Sequence, residues 1–460
     1  MEHDITAFRM VTTEVPRQRA LLVGVEVPGG EGWALSDSLS ELRQLASSAG
    51  LEVVGEVRQR LESPNPSTYV GKGKAQELVA LRRSTPYDIL LFDEELSPSQ
   101  QRNLEDVVGV QVVDRTGLIL DIFAQRARTH EGRLQVELAQ YDYYLPRLTR
   151  MWTHLSRQTR GGVGLRGPGE TQLESDRRRI RKRMSDLRRQ LEDVRTHRAL
   201  HREHRRAEMV PVVALVGYTN AGKSTLLRTL TGAQVLVEDR LFATLDPTTR
   251  KVRLPRGQEV LVTDTVGFIQ KLPTQLVAAF RATLEELQEA DLLIHVVDIT
   301  HPSAPQQAEA VAQTLGELGV ADKPIITALN KIDRLVSAVR PQDSPRSSSG
   351  QAPRGADKDD WVGILEPVRR VAAPYPRAVA ISASEGIGID DLLAHVEACL
   401  SEGQLHITVL LPYDASEVVA SLHRDGAVLD ETYARAGTRL RLVVPKWVAA
   451  VLQPYRIPEG

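Results

Sequence analysis

Between residues 19 and 113, short apolar runs alternate with segments in which apolar residues recur every three or four positions. Short apolar runs are typical of buried strands, and the longer spacing is typical of amphipathic helices. The strand candidates are 20–27, 51–57, 89–92 and 110–113, and the helix candidates are 35–49 and 74–83. This alternation predicts a small α/β domain, to which we assign residues 1–130.

Two amphipathic stripes follow in the next part of the chain. The first consists of Leu134, Leu138, Tyr141, Leu145 and Leu148, and the second of Leu173, Ile180, Met184, Leu187, Leu191 and Val194. A glycine-rich stretch at 161–169 lies between them and cannot form regular structure. We therefore predict a helical hairpin with a glycine-rich loop over residues 131–207.

The chain after residue 208 again has an α/β pattern. Beyond Pro211 come five apolar strand candidates, each followed directly by a polar motif. They predict a second α/β domain over 208–400, and the tail predicts a small α+β domain over 401–460. Residues 341–360 are rich in Ser, Pro, Gly and charge. We therefore predict a disordered insertion at about 336–375.

Composition restricts the classes of protein that fit this chain. Apolar residues make up 42% of the 460 residues, which supports packed cores, and no run approaches the roughly 20 apolar residues that span a bilayer. Cys399 is the single cysteine, and the first residues lack an apolar signal core. We expect neither a disulfide framework nor secretion, and the expected location is the cytoplasm.

Charge is distributed unevenly along the chain. The formal net charge is −2, yet residues 157–206 contain 16 Lys and Arg against 7 Asp and Glu, a local charge of +9. Such a segment is suited to nucleic-acid phosphates. A solvated helix face is the alternative, because Asp176, Asp186 and Glu192 allow ordinary pairing along a helix.

The first polar motif follows the apolar run 212–216 and reads Gly217-Tyr-Thr-Asn-Ala-Gly-Lys-Ser224. It fits the pattern G-x-x-x-x-G-K-[ST], between a strand candidate and a helical segment, as a phosphate-binding loop requires. In such a loop Lys223 reaches the β- and γ-phosphates and the Ser224 hydroxyl binds Mg²⁺. The predicted nucleotide contacts are Gly217, Tyr218, Thr219, Asn220, Ala221, Gly222, Lys223 and Ser224.

The second motif is Asp264-Thr-Val-Gly267, directly after the strand candidate 259–263. An acidic residue at a strand end can hold the Mg²⁺ shell through water, and the Gly267 N–H can meet the γ-phosphate and sense its loss. The short motif occurs often in ordinary turns, but its place downstream of the phosphate loop favours nucleotide binding. The predicted contacts are Asp264, Thr265, Val266 and Gly267.

The third motif identifies the base. Asn330-Lys-Ile-Asp333 follows the apolar run 324–329. A carboxylate at Asp333 can accept from the N1–H and the exocyclic amine of guanine, a donor pair that adenine lacks. Lys331 can lie over the base and Asn330 can join this loop to the phosphate loop. The predicted contacts are Asn330, Lys331, Ile332 and Asp333, together with Ser382, Ala383 and Ser384, whose backbone N–H groups can meet the guanine oxygen.

A switch segment is expected at 241–250, between the first two motifs. One threonine there should bind Mg²⁺ and become ordered around the γ-phosphate; we favour Thr244, with Thr248 as the alternative. The predicted nucleotide contacts are Phe242, Ala243, Thr244, Leu245 and Asp246. The predicted metal ligands are Ser224 and Thr244.

The motifs together predict an α/β fold with a P-loop Ras-like G domain that hydrolyses GTP to GDP and phosphate. Phe268 follows Gly267, where a water-orienting Gln is usual, so the nucleophile must be positioned by something else. Asn220 stands where several cation-dependent GTPases use a side-chain oxygen to hold K⁺, and a loop-capping role is the alternative. The predicted catalytic residues are Lys223, Asn220 and Gly267.

Several longer segments resemble the HflX family of bacterial GTPases. They are the segments 242–247 and 264–273 in the G domain, 160–174 before it, and 69–74, 92–98, 101–104 and 115–125 in the N-terminal part. The resemblance implies a ribosome-associated GTPase that engages the large subunit and its rRNA, is stimulated by it, and splits ribosomes during stress. It also implies that Thr244 is the switch threonine and that the basic segment meets rRNA.

Two other functions compete with this interpretation. A GTPase for RNA modification or ribosome assembly, activated by dimerisation, would be accompanied by a large partner domain with cysteine chemistry, and a single cysteine argues against it. An RNA-binding scaffold or helicase-like factor that uses ATP in the N-terminal domain is weakened because no second phosphate-loop motif is present. We expect a monomer without a membrane span.

Overall fold

A computed structural model describes residues 17–28, 34–148, 170–207, 210–232, 241–242, 244–245, 247–271, 287–339, 375, 377–402, 405–424 and 427–457. The chain forms two compact units, Met1–Ile122 and Phe123–Gly460. The glycine-rich stretch 161–169 and residues 340–374 of the predicted insertion lie outside the described residues.

The first unit is built around a parallel sheet of four strands in the order β2-β1-β3-β4. The strands are β1 (Arg19–Glu26), β2 (Glu52–Arg60), β3 (Ile89–Phe92) and β4 (Gln111–Asp114). The helices are α1 (Leu35–Ser48), α2 (Lys72–Ser84), α3 (Pro98–Val108) and α4 (Arg115–Arg126), the last of which includes the division between the units. Every residue of β3 is buried, as expected for a parallel strand covered on both faces. The predicted small α/β fold is confirmed.

A buried charge cluster joins three elements of this unit. Arg115, which is 2% exposed, donates to Asp93 at 2.7 Å and to Glu41 at 2.6 Å. The Ser38 hydroxyl donates to the other Asp93 oxygen at 2.6 Å. Burial lowers the pKa of Arg115, but Asp93 and Glu41 outweigh it and hold the pKa above its usual value. The cluster therefore fixes the residue after β3 to the start of α4 and to α1.

The second unit begins with helical segments. Helix α5 (His130–Tyr144) starts at Thr129, whose hydroxyl accepts from the Gly132 N–H at 3.0 Å. It packs against helix α6 (Glu170–Ala207), and Arg183 of α6 donates two hydrogen bonds to Glu137 at 2.8 and 2.9 Å. Met184 and Leu187, both from the predicted stripe, are buried.

A six-stranded sheet forms the centre of the second unit, with the strand order β10-β9-β8-β5-β7-β6. Its strands are β5 (Val212–Gly217), β6 (Thr248–Arg253), β7 (Glu259–Asp264), β8 (Leu292–Asp298), β9 (Ile325–Asn330) and β10 (Ala378–Ala380). The helices are α7 (Lys223–Thr231), α8 (Ala304–Glu317), α9 (Ile332–Val339) and α10 (Ile389–Ser401). All neighbouring strands are parallel except β6, which is antiparallel to β7. The carboxyl ends of five strands therefore meet at one edge, where ligands bind in open α/β sheets.

Two features of this sheet and its helices differ from the sequence prediction. Strand β6 is a sixth strand where five were expected, and of its residues Val252 is the buried one, so it has no apolar run to signal it. Helix α9 continues to Val339, four residues into the predicted insertion.

The C-terminal part is a small antiparallel sheet in the order β11-β13-β12, with strands β11 (Leu405–Leu411), β12 (Val428–Ala434) and β13 (Gly437–Val444). Helices α11 (Ser416–Arg424) and α12 (Lys446–Val451) accompany it. The sheet packs its own apolar cluster, which includes Val409, Leu440 and Leu442. The expected α+β tail is confirmed. Within the described part of the chain, no helix has the length and apolar character to cross a membrane.

Replacing Arg115 by Met should destabilise the first unit by about 3 to 5 kcal/mol, because Asp93 is left buried without its cation. Hydrogen exchange of the β3 and β4 amides in the full chain measures this loss. The matched control is Arg43→Met, which removes the half-exposed Arg43–Glu56 pair and should cost less than about 1 kcal/mol. Equal losses in the two variants would contradict the role of the cluster.

Candidate nucleotide site

The phosphate loop connects β5 to α7 at the carboxyl edge of the large sheet. Two of its glycines occupy positions that a side chain cannot share. Gly217 has φ +149° and a Cβ there would overlap the Val296 carbonyl; Gly222 has φ +101° and a Cβ would overlap the Asn330 amide. The backbone must come this close to Val296 and Asn330 for the loop to pack against β8 and β9, so both positions require glycine.

Lys223 is buried at the first residue of α7. Its Nζ donates to the carbonyl oxygens of Gly217 at 3.0 Å and Tyr218 at 2.9 Å. Burial lowers the pKa of Lys223 to about 8, against the opposing effect of Asp264. A phosphate bound beside this amine would favour the ammonium form and oppose the effect of burial.

Oxygen atoms of three side chains converge beside Lys223. The hydroxyls of Ser224 and Thr244 are 2.6 Å apart, and both donate to Asp264 Oδ2, at 2.6 and 2.9 Å. The other carboxylate oxygen, Asp264 Oδ1, is buried and has no hydrogen-bond partner among the described residues. Burial raises the pKa of Asp264, although Lys223 and the two hydroxyls act in the opposite direction. Hard oxygen ligands of this kind suit Mg²⁺.

The geometry distinguishes the two switch threonines. The Thr244 hydroxyl is within hydrogen-bond distance of Ser224 and Asp264, whereas Thr248 begins strand β6, in backbone register with Asp264. This arrangement supports Thr244, whose role as a metal ligand stays a prediction. Ala243 and Asp246 lie outside the described residues.

The switch segment is anchored by an aromatic pair. Phe242 is buried with φ +57°, an uncommon conformation for a residue with a side chain. Its ring meets Phe123 edge to face, with 4.6 Å between centroids. Leu245, another predicted nucleotide contact, is also buried. Buried side chains therefore flank Thr244 on both sides, Phe242 two residues before it and Leu245 one residue after it.

The Asp264–Gly267 loop is joined to the phosphate loop by backbone hydrogen bonds. The Phe268 N–H donates to Gly217 at 3.1 Å, and the Thr219 N–H donates to Phe268 at 2.7 Å. The Tyr218 hydroxyl accepts from the Gln270 N–H at 2.8 Å. Tyr218, predicted to contact the nucleotide, therefore directs its hydroxyl to the segment after Gly267. Phe268 is buried, so no polar side chain stands at the usual water-orienting position.

Residues 330–333, which we call the base-recognition loop after their predicted role, are bound to the phosphate loop through Asn330, as predicted. Asn330 Nδ2 donates to the Ala221 carbonyl at 2.8 Å, and its Oδ1 accepts from the Ala383 N–H at 3.0 Å. That N–H, expected at the guanine oxygen, is thus engaged with Asn330. Asp333 accepts from the Ser382 hydroxyl at 2.6 Å, and Ser382 lies 3.2 Å from Ser384.

Asn220 adopts φ +59°, and its carbonyl accepts from Lys331 Nζ at 2.8 Å. The backbone of Asn220 therefore helps to join the two loops. A cation-binding role for its side chain stays a prediction, as do the nucleotide contacts assigned to Thr265, Val266 and Ile332.

Sequence patterns do not single out Asp298, which lies beside this site. It is the last residue of β8 and forms an ion pair of 2.7 Å with Lys331. The sequence signal that could have identified Asp298 is its position at the end of a buried strand, because Asp264 ends β7 in the same way.

The fold and the order of these loops define a P-loop GTPase, an enzyme that hydrolyses GTP. Among curated relatives, the GTPase HflX of Caldanaerobacter subterraneus subsp. tengcongensis is 44% identical over 93% of this chain and 91% of its own length. The GTPase HflX of Escherichia coli (strain K12) is 42% identical over 89% of this chain and 91% of its own. The chain belongs to the HflX family of GTPases.

Family models divide the chain in three. "GTP-binding GTPase N-terminal" matches residues 36–124, "GTP-binding GTPase Middle Region" matches 126–205, and "50S ribosome-binding GTPase" matches 212–331. A crystal structure of an SsGBP and GDP complex is similar with a TM-score of 0.43 and 24% identity, covering 83% of this chain and 98% of that one.

Replacing Tyr218 by Phe should lower the rate of GTP turnover at saturating GTP about two- to tenfold, because one neutral hydrogen bond to the Gln270 backbone is lost. The KM for GTP should change less than the turnover rate, since the lost bond positions the segment after Gly267. Tyr413→Phe, which removes a hydroxyl bonded to Ala434 in the C-terminal part, is the control. Unchanged turnover in Tyr218→Phe would contradict the role of the Tyr218 hydroxyl in positioning the segment after Gly267.

Replacing Asp333 by Asn should weaken GTP binding at least about 100-fold and shift preference towards xanthine nucleotides, because an amide cannot accept from both guanine donors. Titration with fluorescent GDP and XDP measures both changes. The exposed Asp322→Asn serves as the control. Unchanged GTP affinity in Asp333→Asn would count against the base assignment.

Proposed function

We propose that this GTPase binds the large ribosomal subunit in its GTP-bound form, is activated there, and leaves after hydrolysis. The observation that carries the proposal is the basic face of helix α6. Arg178, Arg181 and Lys182 are exposed and follow each other at the spacing of one helix face. The description of the family model over residues 212–331 supports the same partner.

The other face of α6 is occupied within the protein. Met184 and Leu187 are buried, Arg183 is paired with Glu137, and Arg188 lies 3.6 Å from Asp142. Arg183 and Arg188 are thus paired with α5, whereas Arg178, Arg181 and Lys182 form a second set that is directed to solvent. The second set is suited to rRNA phosphates, which would be bound with release of counterions.

Catalysis in this proposal depends on charge neutralisation and on an external contact. Lys223 stabilises the charge that develops on the β- and γ-phosphates, and the Gly267 N–H holds the γ-phosphate. Mg²⁺, when bound, supplies further positive charge, and Ser224 and Thr244 would hold it directly with Asp264 acting through water. The buried Phe268 leaves the attacking water without a side chain to orient it, so the ribosomal subunit completes the site.

A further part of the proposal is that binding separates or rescues ribosomes under stress. It is supported by the membership of the chain in the HflX family. Sedimentation of ribosomes with the GTP-loaded protein distinguishes this activity, because splitting converts whole ribosomes into subunits and simple binding does not.

Purified large subunits should accelerate GTP turnover by the wild type, and Lys223→Ala should abolish turnover with and without them.

In a binding assay across salt concentrations, Arg181→Gln with Lys182→Gln should lower the slope of log affinity against log salt by about 2, roughly one unit for each phosphate contact.

The matched control for the salt series is Arg183→Gln, on the same helix, which should leave the slope nearly unchanged because its charge already faces Glu137. If large subunits neither bind the GTP-loaded protein nor raise its turnover, the ribosomal function is wrong. If they bind but the double variant keeps the wild-type slope, the partner stands and the assigned surface is wrong.

A further inference from the structure

Asp298 occupies a polar position at the carboxyl edge of the large sheet. One carboxylate oxygen lies 2.7 Å from Lys331 Nζ. The other accepts from the Thr300 N–H at 3.0 Å and from its hydroxyl at 2.6 Å. The side chains of Asp298 and Lys331 are 12% and 15% exposed, so both oxygens are bound in a nearly buried setting.

The electrostatic setting keeps Asp298 ionised. Burial raises its pKa, but the hydrogen bonds from Lys331 and Thr300 outweigh burial and hold the pKa below the usual value. A charge-assisted hydrogen bond in such a setting is stronger than one between neutral groups. Asp298 is therefore a firm anchor for the Lys331 ammonium.

Lys331 is held at a second point. Its Nζ also donates to the Asn220 carbonyl at 2.8 Å, and its backbone has φ +69°. The ammonium thus bridges the end of β8 and the phosphate loop, while the backbone belongs to the base-recognition loop. With both ends fixed, the four-carbon stem between them has little freedom left. A free lysine side chain would lose rotamer entropy when it becomes ordered.

We propose that Asp298 is a positioning residue for the nucleotide base, which holds the Lys331 stem in place before the base arrives. The proposal goes beyond the ribosomal function and rests on the predicted place of Lys331 over the base. Because a stem over the ring contacts its face and not its edge, Asp298 should set how tightly purine nucleotides bind. Choice among purines belongs to Asp333, which meets the edge.

The test is binding of fluorescent GDP and IDP to the full chain without ribosomes. Asp298→Asn should weaken both nucleotides by the same factor, about 10- to 100-fold, as expected for one lost hydrogen bond to a charged group. The ratio of GDP to IDP affinity should stay at the wild-type value. Turnover at saturating GTP should change less than twofold.

Two variants separate positioning from general structural damage. Asp291→Asn removes a carboxylate from the loop just before β8, where it accepts from the Val212 N–H, and should leave nucleotide affinity unchanged. Lys331→Met keeps the apolar stem and removes the ammonium. Lys331→Met also removes the bond to the Asn220 carbonyl, so combining it with Asp298→Asn should weaken binding no further than Lys331→Met alone, because the Asp298 contact has already lost its ammonium.

Affinity at the wild-type level in Asp298→Asn would overturn the proposal. So would effects of the two variants that multiply, or a changed ratio of GDP to IDP. Since no ribosome is present, these outcomes are independent of whether the large subunit is the partner.

Discussion

The carbonyl oxygens of the phosphate loop accept hydrogen bonds from Lys223 and from two segments outside the loop, and the arrangement of the G domain depends on these bonds. Lys223 and the Phe268 N–H reach the first of these carbonyls, and residues of the base-recognition loop reach those of Asn220 and Ala221. Each donor belongs to a part of the site with its own predicted task, namely phosphate binding, sensing of the γ-phosphate, or recognition of the base. The shape of the phosphate loop and the placement of these parts are therefore determined together.

Three aspartates lie at equivalent positions in the sheets, and their hydrogen-bond partners determine which role each of them can have. Asp93, Asp264 and Asp298 each lie at the carboxyl end of a buried parallel strand. Asp93 is satisfied by Arg115 and Ser38, so its charge is used in stability. Asp264 shares one oxygen with two hydroxyls and keeps the other without a partner among the described residues, which suits a metal shell. Asp298 is bound on both oxygens, one of them by a lysine of the site.

Short contiguous motifs made most of the site predictable from the sequence. The phosphate loop, Asp264–Gly267 and Asn330–Asp333 each follow an apolar strand, and parallel strands bring their ends together. The contact of Asn330 with the phosphate loop was predicted from its motif, but other contacts between residues distant in sequence were not predictable in this way. Tyr218 and Gln270 are 52 residues apart, and no sequence motif predicts that they form a hydrogen bond.

The same reasoning explains the features of the fold that were missed. Strand β6 has one buried residue, Val252, and is an edge strand, so apolar periodicity cannot reveal it. The Arg115 cluster joins residues 22 and 74 positions apart, and a buried arginine resembles a surface arginine in sequence. Apolar pattern predicts which segments form the layers, while the pairing of buried polar groups depends on the finished packing.

The contact between Phe123 and Phe242 has a thermodynamic consequence. Phe242 precedes Thr244, the predicted switch threonine, by two residues and has its ring against Phe123 of α4. A change in the switch segment that moves this ring must also alter the packing of Phe123, which belongs to the second unit. Coupling between two sites is reciprocal in free energy, so a partner that displaces Phe123 would shift the affinity for GTP by the same factor by which GTP shifts the affinity for that partner.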